Sequence, residues 1–527
     1  MMKLISAGEA VGLIQDGMTI GVGGFGAYAA PETILQAMAD SFAAHGHPAS
    51  LTVTCGVSPG DNTNRLVGLN RIASEGLLDT IIAGHFANPP LIAEMVARNQ
   101  VAGYALPLGV MIHLYDAIAA HLPVVLTPVG LGTFADPRMD GCRANERAFS
   151  QRREMVKVVE LEGKEYLAYQ TFPIQACIIR ATYADESGNL TMKNEGLGDF
   201  AFDLAAAAHN SGGIVIAEVQ KVVEFGAIHP KDVRIHAHMV DYVVVADESL
   251  YYQGYAAGYR PELCGNVRVP AAGIPAMDLT NRKVIARRGA LELEPNCLIN
   301  LGIGIPSGIG SVANEEGIAS TLSLESGPQG GVPVEGLGFG GSVNPETIYN
   351  LSDVFHLYDG GILSMTFLGA AEIDQFGNVN VSKFGSRCTG PGGFINISQS
   401  TPKVYFVGTF TADGLEEEIS DGALHILREG RKRKFLQHVQ QITFSGQYAR
   451  DHRREIMYIT ERAVFRLTDR GLLLTEIAPG VDLRRDILDQ MEFEPLIAED
   501  LHTMDPRIFR SGRMEIADAL NGLQAGW

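Results

Sequence analysis

Along the chain, continuous apolar runs of four or five residues alternate with segments whose apolar positions recur at helical spacing. Thr80-Ile81-Ile82-Ala83-Gly84, Val124-Val125-Leu126-Thr127, Ile214-Val215-Ile216-Ala217 and Tyr242–Ala246 predict buried strands. Residues 91–97, 110–120 and 202–209 predict helices between them. At the start, Ile5, Ala10, Leu13 and Ile14 fall near helical spacing and Asp16-Gly17 makes a stop, which predicts a short amphipathic helix over 3–17. Met18-Thr19-Ile20 predicts a strand that runs into Gly21-Val22-Gly23-Gly24-Phe25-Gly26, with a helix from Pro31 through Met38. The alternation predicts an α/β fold with a largely parallel sheet flanked by helices.

The second half restarts the pattern. A helix over 282–293 precedes a strand, Leu298-Ile299-Asn300-Leu301, which enters Gly302-Ile303-Gly304-Ile305-Pro306 and then a helix. Further on, Asp374-Gln375-Phe376-Gly377-Asn378-Val379-Asn380 matches Asp185-Glu186-Ser187-Gly188-Asn189-Leu190-Thr191, both suited to a tight turn between strands. Two landmarks in the same order predict two related open α/β domains, residues 1–275 and 285–527, with the boundary near 270–285.

The matched halves differ at one strand end. After the first glycine loop, Leu51-Thr52-Val53-Thr54 stops at Cys55-Gly56; after the second, Thr321-Leu322-Ser323-Leu324 stops at Glu325, followed by Ser326-Gly327-Pro328-Gln329-Gly330-Gly331. Strand ends are where α/β folds place their chemistry, and glycines let a ligand approach backbone N–H groups. Gly21, Gly23 and Gly26 satisfy a dinucleotide fingerprint in letters, but the next strand lacks the acidic residue a ribose requires. His236-Ala237-His238 puts two imidazoles on one face of a predicted strand without a locatable third ligand, so no metal is expected. Ser323 has no assignable His and Asp partners for a hydrolase triad. Glu335 and His45 and His47 are expected to be solvated or loop residues.

Charge and composition narrow the function. A formal net charge of -20 argues against a nucleic-acid partner. The one basic run, Arg431-Lys432-Arg433-Lys434, reads as a solvated surface face. Six scattered cysteines in 527 residues, none in C-x-x-C spacing, predict buried thiols in a reducing compartment. The start shows neither a basic stretch nor a following apolar core of a signal peptide, and no long apolar run predicts a membrane span; cytoplasm is the expected location.

Taken together, the motifs resemble those of the family I coenzyme A transferases, particularly the fused single-chain type acting on acetate, propionate and other short acids. The likeness rests on Asp16-Gly17, Gly23-Gly24-Phe25 and Pro31, on Gly130-Leu131-Gly132-Thr133-Phe134-Ala135-Asp136-Pro137-Arg138, and on the two glycine runs Gly302–Pro306 and Gly390-Pro391-Gly392-Gly393 with Glu325-Ser326-Gly327 and 374–382 between them. The resemblance implies that Glu325 is the catalytic nucleophile. It implies that Gly23, Gly24, Phe25, Gly302, Gly304, Gly392 and Gly393 bind CoA or substrate or supply oxyanion donors, with Phe25 and Phe394 as apolar walls. It implies no cofactor, coenzyme A itself being a substrate, an acyl-CoA and a short-chain carboxylate as partners, and a homo-oligomer. The chain departs from the family pattern at Ala29, where Gly is usual, at Ser326, where Asn or Gln is usual, and at Leu108, where Pro107-Leu108-Gly109 replaces Pro-Gln-Gly. An acyl-CoA hydrolase using the same Glu and a non-catalytic acyl-CoA or small-anion sensor are the alternatives.

Overall fold

The structure is a computed structural model that describes residues 2–255, 258–270, 277–334 and 336–517. Glu335 and part of the expected domain boundary, 271–276, lie outside the described residues.

The first half builds a sheet from β1 (Thr19–Val22), β2 (Leu51–Val57), β3 (Leu78–His85), β4 (Ala102–Ala105), β5 (Ala176–Asp185), β6 (Ile214–Val223) and β7 (Tyr242–Val245). The spatial order is β7-β6-β5-β1-β2-β3-β4, all neighbours parallel, with Lys3–Leu4 added parallel at the edge of β7. Ile20, Val53, Ile81, Ile178 and Val215 are fully buried. Strands covered on both faces have no polar side, which is why they read as continuous apolar runs. The helices α1 (Glu32–His45), α2 (Pro90–Ala97), α3 (Leu108–Ala119) and α4 (Ala201–Asn210) cover the sheet. α1 runs nearly two turns past the expected Met38 and stops at Gly46, whose φ of 67° gives the left-handed cap that glycine adopts without a steric penalty.

The second half builds β8 (Leu298–Leu301), β9 (Thr321–Ser323), β10 (Met365–Gly369), β11 (Lys403–Val407) and β12 (Glu455–Ile459), with α5 (Asn281–Ala290), α6 (Ser307–Glu316) and α7 (Leu351–Asp359). These five strands run in the order β9-β8-β10-β11-β12, parallel throughout. The first sheet has the same order over β2-β1-β5-β6-β7. Beyond β12 the second sheet continues through antiparallel strands at Ala463–Thr468 and Gly471–Ile477. Ile285, Ile299, Ile309, Phe367 and Met457 form its core.

The two D-x-x-G-N turns have one geometry. Asp185 Oδ1 accepts the N–H of Ser187 and of Asn189, both at 2.9 Å, and Asn189 Nδ2 donates to Asp185 Oδ2 at 2.8 Å. Asp374 Oδ1 accepts from Phe376 and Asn378, and Asn378 Nδ2 donates to Asp374 Oδ2, all at 3.0 Å. Each Asp closes its own turn through the short side chain that favours such loops.

Packing interleaves the chain where the sequence places a single cut at 275–285. One compact unit comprises Met1–Val269, Glu325–Leu357 and Ser382–Asn396; the other comprises Pro270–Leu324, Tyr358–Val381 and Ile397–Trp527. Glu325–Leu357 joins the first unit because its backbone pairs there: Gly198 N–H donates to Ser326 O at 2.8 Å and Leu351 N–H to Asp199 O at 3.1 Å. Ser382–Asn396 joins it through Phe86 N–H to Thr389 O at 2.7 Å and Gly392 N–H to Gly84 O at 2.9 Å.

Four local expectations are corrected. Residues 3–17 are not one helix: after the edge strand, Ser6 and Glu9 form a capping box that starts a short helix at Ala7–Val11. Val124–Thr127 is a strand but not a buried one; it pairs antiparallel with Lys164–Gln170 in a separate three-stranded sheet, and none of its four residues is buried. An apolar run carries no mark of which sheet it joins. His236 and His238 flank a 3₁₀ turn, Ala237–Met239, rather than lying along a strand. In the basic run Arg431, Lys432 and Arg433 are exposed, whereas Lys434 is buried and burial pushes its amine down to about 8. All six cysteines are free thiols, five of them buried and Cys264 half-buried. No helix of the described residues is long and apolar enough to cross a membrane.

Candidate active site

Glu325 stands in the turn that follows β9. The strand end before it is fixed within the second unit, where Asn300 Nδ2 donates to Ser323 O at 3.1 Å and the Ser323 and Tyr358 hydroxyls are 2.7 Å apart. Ser323 is thus a structural hydroxyl. From Glu325 onward the chain belongs to the first unit. Gly198 N–H donates to Ser326 O at 2.8 Å, and Ser326 Oγ donates to Gly340 O at 2.6 Å. Ser326, the departure from the family's amide, therefore spends its hydroxyl on the backbone that frames Glu325.

The Glu325 carboxyl is half-buried, and among the described residues it has no hydrogen-bond or ion-pair partner. Loss of solvent alone pushes it up to about 7. A carboxylate without donors keeps its lone pairs available to an electrophile, and one stripped of water is a stronger nucleophile once ionised.

Next to this turn a cleft of about 400 Å3, open solvent at its mouth included, is lined by Gly23, Gly24, Phe25, Tyr28 and Ala29 on the loop after β1, and by Leu197–Ala201 before α4. Tyr28 OH donates to Gly338 O at 2.8 Å, tying the first loop to the segment that also receives Ser326. Ala29 takes φ 54°, in the left-handed region, which explains why Gly is the family's residue there. Arg180, buried in the cleft wall, donates from Nη2 to Glu195 Oε2 at 2.8 Å and lies over the Tyr251 ring at 4.5 Å. Asp199 beside them has its carboxyl raised by burial. Sequence reasoning missed Tyr28, Arg180, Glu195 and Asp199; the Gly196-Leu197-Gly198-Asp199 run before α4 was the signal that would have found this wall.

The expected glycines divide by what their N–H groups do. Gly23 donates to Ile178 O at 2.8 Å, Gly392 to Gly84 O at 2.9 Å and Gly302 to Phe367 O at 2.8 Å, so these three amides are already used by the sheets. As oxyanion donors they are corrected: they permit close approach but have no hydrogen to offer. The N–H groups of Gly24, Gly304 and Gly393 carry no such bond among the described residues. Gly302 and Gly304 belong to the second unit; Gly23, Gly24, Phe25, Gly392, Gly393 and Phe394 belong to the first with Glu325. Phe25 and Phe394 are both buried. Leu108, the third departure, is fully buried at the start of α3 and donates its N–H to Gly392 O at 2.9 Å, so it packs where a glutamine would bring an amide. Gly21 of the dinucleotide-like run sits inside β1, where a Cβ would meet the Leu204 side chain 2.5 Å away; it serves helix-to-sheet packing.

The chain belongs to the coenzyme A transferases, and within them to the fused single-chain type of family I. The coenzyme A transferase family model matches residues 4–246. The chain is 45% identical over 517 residues to the caffeate CoA-transferase of Acetobacterium woodii, covering 97% of this chain and 98% of that protein. It is 40% identical over 517 residues to the acetate CoA-transferase YdiF of Escherichia coli (strain K12), covering 97% and 96%. The crystal structure of the E. coli O157:H7 acyl-CoA transferase YdiF as a thioester complex with CoA superposes with a TM-score of 0.92 at 39% identity, over 98% of this chain and 97% of that one. The protein is therefore an enzyme that transfers CoA between an acyl-CoA and a carboxylate.

Proposed function

We propose that Glu325 carries the transfer as a covalent nucleophile. Ionised Glu325 attacks the thioester carbonyl of the donor and CoA leaves as its thiolate, giving a mixed anhydride. The thiolate then attacks the glutamyl carbonyl, which forms a glutamyl-CoA thioester and frees the first acid. A second acid runs the same steps in reverse. Atoms balance without ATP, metal or redox group, since one thioester is exchanged for another. Gly24 and Gly393, whose N–H groups are not spent on the sheets, are the donors we assign to the developing oxyanions; one such donor is worth about 3 kcal/mol. Phe25 and Phe394 exclude water from the hydrolysable intermediate.

The observation that carries this reading is a carboxyl at a strand end, unpartnered and desolvated, beside a glycine-lined cleft. We assign a short-chain acid as the acceptor. The likeness to a caffeate CoA-transferase favours an aromatic acid as the second reading. Rates with acetate, propionate and caffeate at a fixed acetyl-CoA concentration decide between them.

Borohydride tests the mechanism, because it reduces a thioester but not a free carboxylate. Acetyl-CoA without acceptor loads CoA onto the enzyme; borohydride then converts Glu325 to the alcohol and inactivates it, and peptide mapping finds the change within 321–331. Modification at Asp374, Glu335 or another carboxylate overturns the assignment. Transfer without any modification removes the covalent step, and thioester loss to water without transfer makes the enzyme a hydrolase.

A further inference from the structure

Behind the cleft wall formed by Leu197–Ala201, the same compact unit gathers a second set of reactive side chains. His113 and Asp116 are three residues apart on α3, so they share one helix face. His356 meets them from α7. One ligand atom from each of the three lies within 4.8 Å of the others. His113 Nδ1 is 3.9 Å from Asp116 Oδ2, and the two imidazole centroids are 4.4 Å apart. A second, buried carboxyl backs the set: Asp203 on α4 is 4% exposed, stands against Asp116, and its Oδ2 has no hydrogen-bond partner among the described residues. Arg234 is the cation that faces Asp203, with its guanidinium 3.8 Å from Asp199, so it is shared between two carboxylates.

We propose that His113, Asp116 and His356 bind a divalent d-block cation, best matched by Zn2+, with Asp203 orienting Asp116. Two imidazoles and a carboxylate form a three-ligand zinc set with a fourth position left for water. Mg2+ and Ca2+ favour all-oxygen sets and fit poorly. Tetrahedral bonds to zinc separate ligand atoms by about 3.3 Å, so the set closes by up to about 1.5 Å on binding, within reach of a rotamer change at exposed His356. A carboxyl behind a ligating carboxylate is the usual outer partner that fixes ligand orientation. The ion joins α3 to α7, the helix that ends the segment beginning at Glu325. It acts there as a clamp and takes no part in the transfer.

The test uses the full-length, untagged protein stripped of metal by a chelator. Calorimetry with Zn2+ is expected to give one equivalent per chain, with a Tm that rises with ion concentration as binding to the folded state alone requires. Co2+ is expected to give the intense visible bands of a four-coordinate nitrogen and oxygen site. His356→Ala, on an exposed helix face and checked for fold by circular dichroism, weakens binding by about 100-fold or more; Asp203→Asn weakens it by about tenfold. His238→Ala leaves it unchanged. No uptake of Zn2+ by the wild type overturns the site, as does uptake that survives in His356→Ala or is lost in His238→Ala.

Discussion

Gly198 donates its N–H to the carbonyl of Ser326 at 2.8 Å, one residue beyond Glu325. The two chains touch so closely here that a Cβ on Gly198 would collide with the Tyr349 carbonyl. Gly327 next to it has φ 120°, and a Cβ there would come within 2.5 Å of Gly198 N. Gly198→Ala is therefore expected to cost about 1–3 kcal/mol of stability by overpacking. It also shifts Glu325 and lowers CoA transfer by about 100-fold, since near-attack geometry tolerates little displacement. Chemical denaturation and steady-state rates check both effects.

Glu325 sets a pH profile. Its carboxyl titrates near 7 in the folded protein against a usual value of 4.5. Below about 7 the nucleophile is protonated, so kcat/KM is expected to climb with pH through about 7 and then level off. Stability moves the other way. Between 4.5 and 7 the folded chain holds a proton that the unfolded chain has lost, so stability falls as pH rises through that window. Glu325→Gln removes this penalty and is expected to stabilise the fold by about 2 kcal/mol at pH 8, with no gain at pH 4. A rate profile and unfolding curves at the two pH values provide the check.

Glu325→Asp moves the carboxylate back by about 1.5 Å and is expected to lose most activity while folding normally. Initial rates with donor and acceptor varied together are expected to give parallel double-reciprocal lines in the wild type, as one site visited in turn requires. Intersecting lines overturn the covalent sequence.

Ser326→Ala leaves the buried Gly340 carbonyl without the Ser326 hydroxyl. The expected cost is about 1–2 kcal/mol. Because the substitution changes the frame and not the nucleophile, the midpoint of the pH–rate profile stays within a few tenths of a unit. A midpoint that moves by a full unit would show Ser326 acting on the carboxyl itself.

Lys434 carries a burial penalty of its own. Its amine titrates near 8 when folded and near 10.5 otherwise, with Glu461 offsetting part of the desolvation. Below pH 8 the amine is charged in both states and the cost is fully present. As pH rises from 8 to 10.5 the folded state sheds its proton first and the cost disappears. Lys434→Met is expected to raise Tm at pH 7, by about 2 kcal/mol in free energy, with the gain absent above pH 10.5.

Much of the architecture could be read from residue patterns because parallel strands hide both faces and their letters say so. β3, β6 and β7 stand where continuous apolar runs put them, and the paired Asp-to-Asn turns mark the same hairpin in both halves. Lys434 and Val124–Thr127 were misjudged for one physical reason: burial is decided by what arrives from elsewhere in the chain, which local composition does not record. The site shows the same boundary. Glu325 stood out as a carboxyl at a strand end among glycines, but the role proposed for it came from the resemblance of several motifs in register, not from that local pattern. Arg180, Glu195 and Tyr28 were not, since their roles depend on a cleft wall assembled from β5, the segment before α4 and the loop after β1. Which glycine amides are free could be learned only from the sheet hydrogen bonds of Gly23, Gly302 and Gly392.

The interleaved packing has a consequence for synthesis. A ribosome that has finished Val269 has not supplied the first unit with Glu325–Leu357 or Ser382–Asn396. At about 5–20 residues per second, the 127 residues that follow Val269 up to Asn396 take roughly 6 to 25 s to emerge. For that interval the Gly84 carbonyl and the Gly198 amide have no Gly392 and no Ser326 to meet, and the cleft has no Glu325 beside it. The nascent first sheet is a vulnerable, half-capped object with exposed strand ends, and a gene cut at residue 275 would leave it so permanently unless the second polypeptide docked in its place.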